Sequence, residues 1–109
     1  MQIIFTTKQM QRNCSSSKQM VKKYGMDCAK KLAQRLFELD AAPTMDQIPP
    51  HARCHPLHGD LNGLYAVHLN QPFRLVFKPC RGDFPLKDSG GLDLSKVDRI
   101  EIIDVIDYH

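Results

Sequence analysis

No apolar run in this chain exceeds three or four residues, against the ~20 that a membrane-crossing helix requires. A membrane-embedded protein is therefore not expected. The start, Met1-Gln2-Ile3-Ile4-Phe5-Thr6, lacks the basic residues and apolar stretch of a secretory signal, which makes the cytoplasm the expected location. The four cysteines, Cys14, Cys28, Cys54 and Cys80, form no Cys-x-x-Cys pair. With no export signal they read as reduced thiols, and Cys28, among helical neighbours, as a small core residue. Internal repeats are absent, and low complexity is confined to Ser15-Ser16-Ser17. The net charge of +3 permits an anionic partner without demanding one.

What remains is an ordinary globular composition, 42% apolar and 25% charged over 109 residues, enough for a single domain (1-109) with one core. Ile3, Ile4 and Phe5 suit a first strand. The polar stretch 8–24, broken by the serine triplet, predicts two short helical pieces, the second capped by Ser17 and stopped by Gly25. A longer helix follows, with Asp27 as its cap and Pro43 just past its end. Ala29, Leu32, Ala33 and Leu36 recur at helical spacing, Phe37 and Leu39 widen that apolar face, and Lys30, Lys31, Gln34, Arg35 and Glu38 take the other side. Residues 44–56, with Pro49, Pro50 and Pro56, read as loop with one turn near Asp46.

After Gly63 the period changes to two. Residues 64–69 and 73–78 form an antiparallel hairpin across Asn70-Gln71-Pro72. Phe73, Leu75 and Phe77 share one face, and Arg74, Val76 and Lys78 the other. Residues 80–96 read as a long loop. In the last strand, from Val97 to Tyr108, Ile100, Ile102 and Ile106 are expected on one face and Ile103 and Val105 on the other. One strand, then helices, then strands implies an α+β fold: an antiparallel sheet with helices on one face.

Three features bear chemistry. His51, His55 and His58 place three of the five histidines in one short loop. A histidine pair supplies one neutral base and one protonated acid near neutral pH, the pair that metal-free RNA cleavage needs; the plainer reading is a solvated loop. Cys54, His55 and His58 also offer metal ligands, but no second paired cluster follows to complete a zinc site. Arg74 sits mid-strand, where its guanidinium must meet either a carboxylate, such as Asp104 or Asp107, or an anionic ligand such as a phosphate. Finally Asp107-Tyr108-His109 follows directly on a buried strand, which anchors Tyr108 where it can stack on a base or bond a phosphate; the plainer reading is a surface tail.

The strings Cys54-His55-Pro56-Leu57-His58-Gly59-Asp60-Leu61-Asn62-Gly63-Leu64-Tyr65 and Pro72-Phe73-Arg74-Leu75-Val76-Phe77-Lys78, with the ending Ile106-Asp107-Tyr108-His109, resemble the RelE/ParE superfamily of bacterial toxins. The resemblance is to its HigB-like, host-inhibition branch. It implies a microbial-RNase-like fold and cleavage of mRNA on the ribosome with neither metal nor cofactor. It also implies a cognate helix-turn-helix antitoxin, through which alone DNA is met. The branch's active-site residues fall on His55, Arg74 and Tyr108, with His58 where lysine often stands; a histidine is a less constant positive charge there. Lys78, His109, Lys22 and Lys23 are the expected RNA contacts. Two other readings stay open: a toxin of this fold acting on DNA gyrase, and a degenerate toxin serving only as an antitoxin-binding co-repressor.

Overall fold

The computed structural model describes residues 1–80 and 92–107; Tyr108, His109 and residues 81–91 of the long loop lie outside the described residues. After β1 (Gln2–Phe5), the hydroxyl of Thr7 accepts the amide of Met10 at 3.0 Å and starts α1 (Lys8–Asn13). Within the serine triplet it is Ser16, rather than Ser17, whose Oγ accepts the Gln19 amide and caps α2 (Ser17–Tyr24). Either serine satisfies the same orphan amides, so pattern alone does not choose between them. Gly25, at φ 84°, ends α2 and at once begins α3 (Met26–Ala41), so Asp27 lies in the first turn and is not the cap. That left-handed φ favours a residue without Cβ.

Short 3-10 turns at Met45–Gln47 and Pro50–Ala52 carry the chain to β2 (His55–Pro56), inside what reads from sequence as loop. A further 3-10 turn, Gly59–Leu61, leads to β3 (Tyr65–His68) and β4 (Phe73–Pro79). The long loop regains a 3-10 turn at Leu94–Lys96 before β5 (Arg99–Asp107). The sheet order is β1-β5-β4-β3-β2. The α+β class and the expected hairpin stand, with Val67 opposite Leu75 and His68 opposite Arg74. One pairing departs from the wholly antiparallel expectation: β1 runs parallel to β5, its partner across the intervening helices and strands.

The helices cover one face of the sheet. There Leu32 and Leu39 of α3 meet Val67, Leu75, Phe77, Ile100 and Ile102, all essentially without solvent exposure. Each such side chain contributes about 1.5–3 kcal/mol on burial. On the other face a smaller cluster forms from Leu57, Ala66 and Val76, with Leu61, Leu64, Ile103 and Ile106 packed against it. Segment 57–64 thus covers one end of that face.

Two expectations about facing are corrected. The β4–β5 register slips between Val76 and Phe77, so that Val76 pairs with Asp104 and Phe77 with Ile102. Ile103 is the extra residue of this bulge, which resets the alternation. Val105 therefore joins the helix-side core, and Ile106 joins Ile103 on the opposite face. In α3 the buried stripe is Cys28, Leu32, Arg35 and Leu39, whereas Ala33 and Phe37 are exposed. Arg35 takes a place in the buried face beside Cys28, Ala29, Leu32 and Leu39, where it finds partners. Its Nε donates to the carbonyl of His68 at 2.7 Å, and its Nη1 to Oε1 of Glu38 at 3.0 Å. Arg35, expected from the sequence on the polar side of the helix, is only 5% exposed.

Candidate active site

The face of the sheet that the helices leave uncovered carries His55, His68 and Arg74. β2 is the edge strand, and its register sets His55 beside Ala66, in the row that continues to Val76 and Asp104. The next row is His68, Arg74 and Ile106. Cross-strand partners share a face with Cβ atoms about 5 Å apart, so His55, His68 and Arg74 converge. The rings of His55 and His68 meet edge to face, with centroids 5.5 Å apart and planes at 78°. All three side chains are half-buried.

Backbone geometry fixes which nitrogen of His55 is available. Its Nδ1 lies 2.8 Å from the carbonyl oxygen of Arg53. A carbonyl only accepts, so Nδ1 carries the hydrogen and Nε2 is left for proton exchange. Arg53 delivers that carbonyl from a left-handed conformation, φ 55° and ψ 50°, which costs a non-glycine residue about 1–2 kcal/mol. The strain sits where it orients a ring, as strained backbone at sites often does.

The environment of His68 disfavours its charged form. Burial lowers its pKa below the ordinary 6.5, and the nearby cations Arg74, His55, Arg53 and Arg35 lower it further. Its own carbonyl is tied to Arg35, so both strand and ring are positioned from α3. Removing the charge that lowers it most, with Arg74→Gln, is expected to raise the His68 pKa part of the way back, since the contribution of burial remains. An NMR titration of the imidazole protons reads this directly, and a fall would contradict the assignment.

Arg74 donates Nη1 to the carbonyl of Phe73 at 2.9 Å. Asp104, one of its expected carboxylate partners, instead turns its Oδ1 onto the amide of Val105 at 2.8 Å. Ion pairs among the described residues join Arg35 and His51 to Glu38 and Lys78 to Glu101, and do not include Arg74. Its guanidinium therefore offers donors to an anion on this face.

The other sequence-predicted residues distribute as follows. His51 bonds Glu38 and belongs to the Arg35 network. His58 is exposed at the start of the Gly59–Leu61 turn, in extended backbone three residues beyond His55. Alternation turns it to the opposite side of the chain from His55, so the two are not brought together. Lys78 shares the face of Arg74 but lies 3.8 Å from Glu101, its cross-strand partner. Lys22 and Lys23 are exposed on α2, in the helical layer behind the sheet. Tyr108 and His109 follow β5 and lie outside the described residues.

Sequence reading missed His68 and Arg53. His68 carried a signal: in a hairpin with a short connection, period two places it on the same face as Arg74. Arg53 carried none, since nothing in residue type announces a left-handed arginine. Among the described residues no group of three or more His, Cys, Asp or Glu gathers as metal ligands, so Cys54, His55 and His58 do not form one. No helix among them is long and apolar enough to cross a membrane.

Comparison with known proteins follows the same lines. The family model described as a RelE-like toxin of the type II toxin-antitoxin system HigB matches residues 4–84. A search of curated proteins finds no match. Among solved structures the fold is similar to a YoeB/ParE toxin from Agrobacterium tumefaciens, with TM-score 0.58, 13% identity and all of both chains covered. It is also similar to a chain of the YoeB-YefM complex from Staphylococcus aureus, with TM-score 0.55, 18% identity, and 100% and 97% of the two chains covered. At such identities the structural likeness shows the fold alone.

Proposed function

The chain belongs to the HigB-like family of RelE-like toxins of type II toxin–antitoxin systems, and on that premise we propose that it is an endoribonuclease that cuts mRNA on the ribosome without a metal ion. The observation that carries this reading is the meeting of His55, His68 and Arg74 on the open sheet face, with the two imidazoles in edge contact. His68, whose pKa is lowered by burial and by its cationic neighbours, takes the proton of a ribose 2′-hydroxyl. The 2′-oxygen attacks the adjacent phosphorus as the P–O5′ bond breaks. Protonated His55 gives the leaving 5′-oxygen its proton from Nε2, its Nδ1 hydrogen being held by Arg53. The products are a 2′,3′-cyclic phosphate and a 5′-hydroxyl. Arg74 binds the non-bridging oxygens, where negative charge grows in the transition state.

Tyr108 stacks on or bonds the substrate in this scheme, and Lys78, His109, Lys22 and Lys23 hold RNA backbone. The partner that neutralises the toxin is a cognate helix-turn-helix antitoxin, and DNA is met only through it. One solved structure of similar fold is itself a two-component complex, which supports this assignment.

Inducing the protein is expected to arrest growth, and His55→Ala, Arg74→Ala and Tyr108→Ala are each expected to relieve the arrest while leaving the protein folded. Arrest unchanged in all three variants overturns the nuclease reading. Inhibited supercoiling by purified DNA gyrase in the same experiment would replace it with the gyrase alternative.

A further inference from the structure

α3 presents an apolar stripe that no part of the described chain covers. Met26, Ala33, Phe37 and Ala41 are all exposed. At 100° per residue they fall within an arc of roughly 80° and span about 22 Å along the helix. The two large residues stand well out of the surface, Met26 at 68% and Phe37 at 73% exposure. Each borders a cleft: about 340 Å³ between Val21, Met26, Ala29 and Ala33, and about 310 Å³ between Phe37, Ala41, Pro43 and Pro49. This stripe lies on the side of α3 opposite the buried Cys28, Ala29, Leu32 and Leu39.

The charges around the stripe select the occupant. Lys30 lies within it, Lys31 of α3 is exposed beside it, and Lys18 is exposed on α2 next to Ser17, which with Val21 borders the same cleft. Asp27 and Asp40 are the exposed acids of these two helices, because Glu38 is held by Arg35 and His51. An apolar stripe about four turns long with a net-positive border fits an acidic amphipathic helix laid along it. A second copy of this chain would bring the same basic border into contact with itself. We propose that this face of α3, distant from the histidine pair, is where a helix of the cognate antitoxin docks, with apolar residues seated in the two clefts and acidic residues against the lysines. The inference rests on the antitoxin reading above and adds the surface and the chemistry of the contact.

Calorimetric titration of the full chain with the cognate helix-turn-helix antitoxin of the reading above tests this. Met26→Glu and Phe37→Glu replace exposed side chains, so folding is retained and is checked by circular dichroism. Each is expected to raise Kd ~30-fold or more, the size of a lost interface anchor. Lys30→Glu and added salt are expected to weaken binding as well. In cells, the Phe37→Glu toxin is expected to arrest growth even with the antitoxin present. Wild-type binding that Phe37→Glu and Met26→Glu leave unchanged overturns this docking face while the antitoxin reading stands. Failure of the wild-type chain to bind overturns both. A wild-type dimer in sedimentation that Phe37→Glu dissolves overturns the proposal in favour of self-association.

Discussion

Replacing His68 with alanine is expected to slow mRNA cleavage by about 10²–10⁴-fold, the usual contribution of a positioned general acid or base. His68 pairs across the hairpin with Arg74 and touches the ring of His55, so its removal takes the proton acceptor from the proposed reaction. His68→Ala, His55→Ala and the double variant are expected to be similarly impaired, because groups acting on one transition state do not contribute additively. His58→Ala is expected to change the rate far less, since that side chain is exposed and faces away from the pair. The pH profile gives an independent reading. A base whose pKa is depressed stays unprotonated down to a lower pH, so the acidic limb of the rate profile is expected below the ordinary histidine range. In Arg74→Gln the residual activity is expected to show that limb moved to higher pH. Equal loss in His58→Ala and His68→Ala would contradict the geometry.

The second large effect concerns the network behind the site. Arg35→Met keeps most of the side chain's volume but leaves the carbonyl of His68 and Oε1 of Glu38 without their donor. Breaking a buried ion pair by removing one partner costs about 3–5 kcal/mol, and a chain of this size loses roughly 10–30 °C in Tm for that change. Glu38 carries a pH signature of the same network. Burial raises its pKa, but hydrogen bonds from His51, Gln34 and Arg35 and the charge of Arg35 outweigh it, and the net shift is downward. A lowered carboxylate pKa adds stability above the ordinary glutamate range, and that stability is lost as pH falls through the lowered value. In Arg35→Met this acid-dependent part is expected to shrink. Differential scanning calorimetry from pH 3 to 7 measures both, and a Tm unchanged by Arg35→Met would mean that the buried arginine is not structurally needed.

Arg35 also shows where sequence reading reached its limit. Cys28, Leu32, Arg35 and Leu39 are spaced as a buried stripe, yet the charge of Arg35 argues for the polar side, and the apolar Phe37 reads as widening the buried face. Only the tertiary partners, one of them a backbone carbonyl 33 residues away, reverse that choice. The hairpin was readable because alternation and turn residues are local: Leu75 and Phe77 lie in the core, and Arg74 and Lys78 share the other face, as expected. The bulge at Ile103 was not, because an extra residue shows only against the register of the neighbouring strand. The parallel partner of β1 is likewise a long-range choice. At the site, His55 and Arg74 stood out in the sequence through their neighbours. His68 sat in an ordinary alternating strand and needed the pairing partner to give it meaning.

Primer extension on a translated mRNA after brief induction tests the proposed chemistry most directly, with the wild-type chain, His55→Ala and His68→Ala compared. The expected result is discrete breaks within the reading frame in the wild type, carrying 5′-hydroxyl downstream ends, lost when translation is blocked and lost in both variants. Growth arrest without such breaks, or breaks that persist when both histidines are replaced, would contradict it.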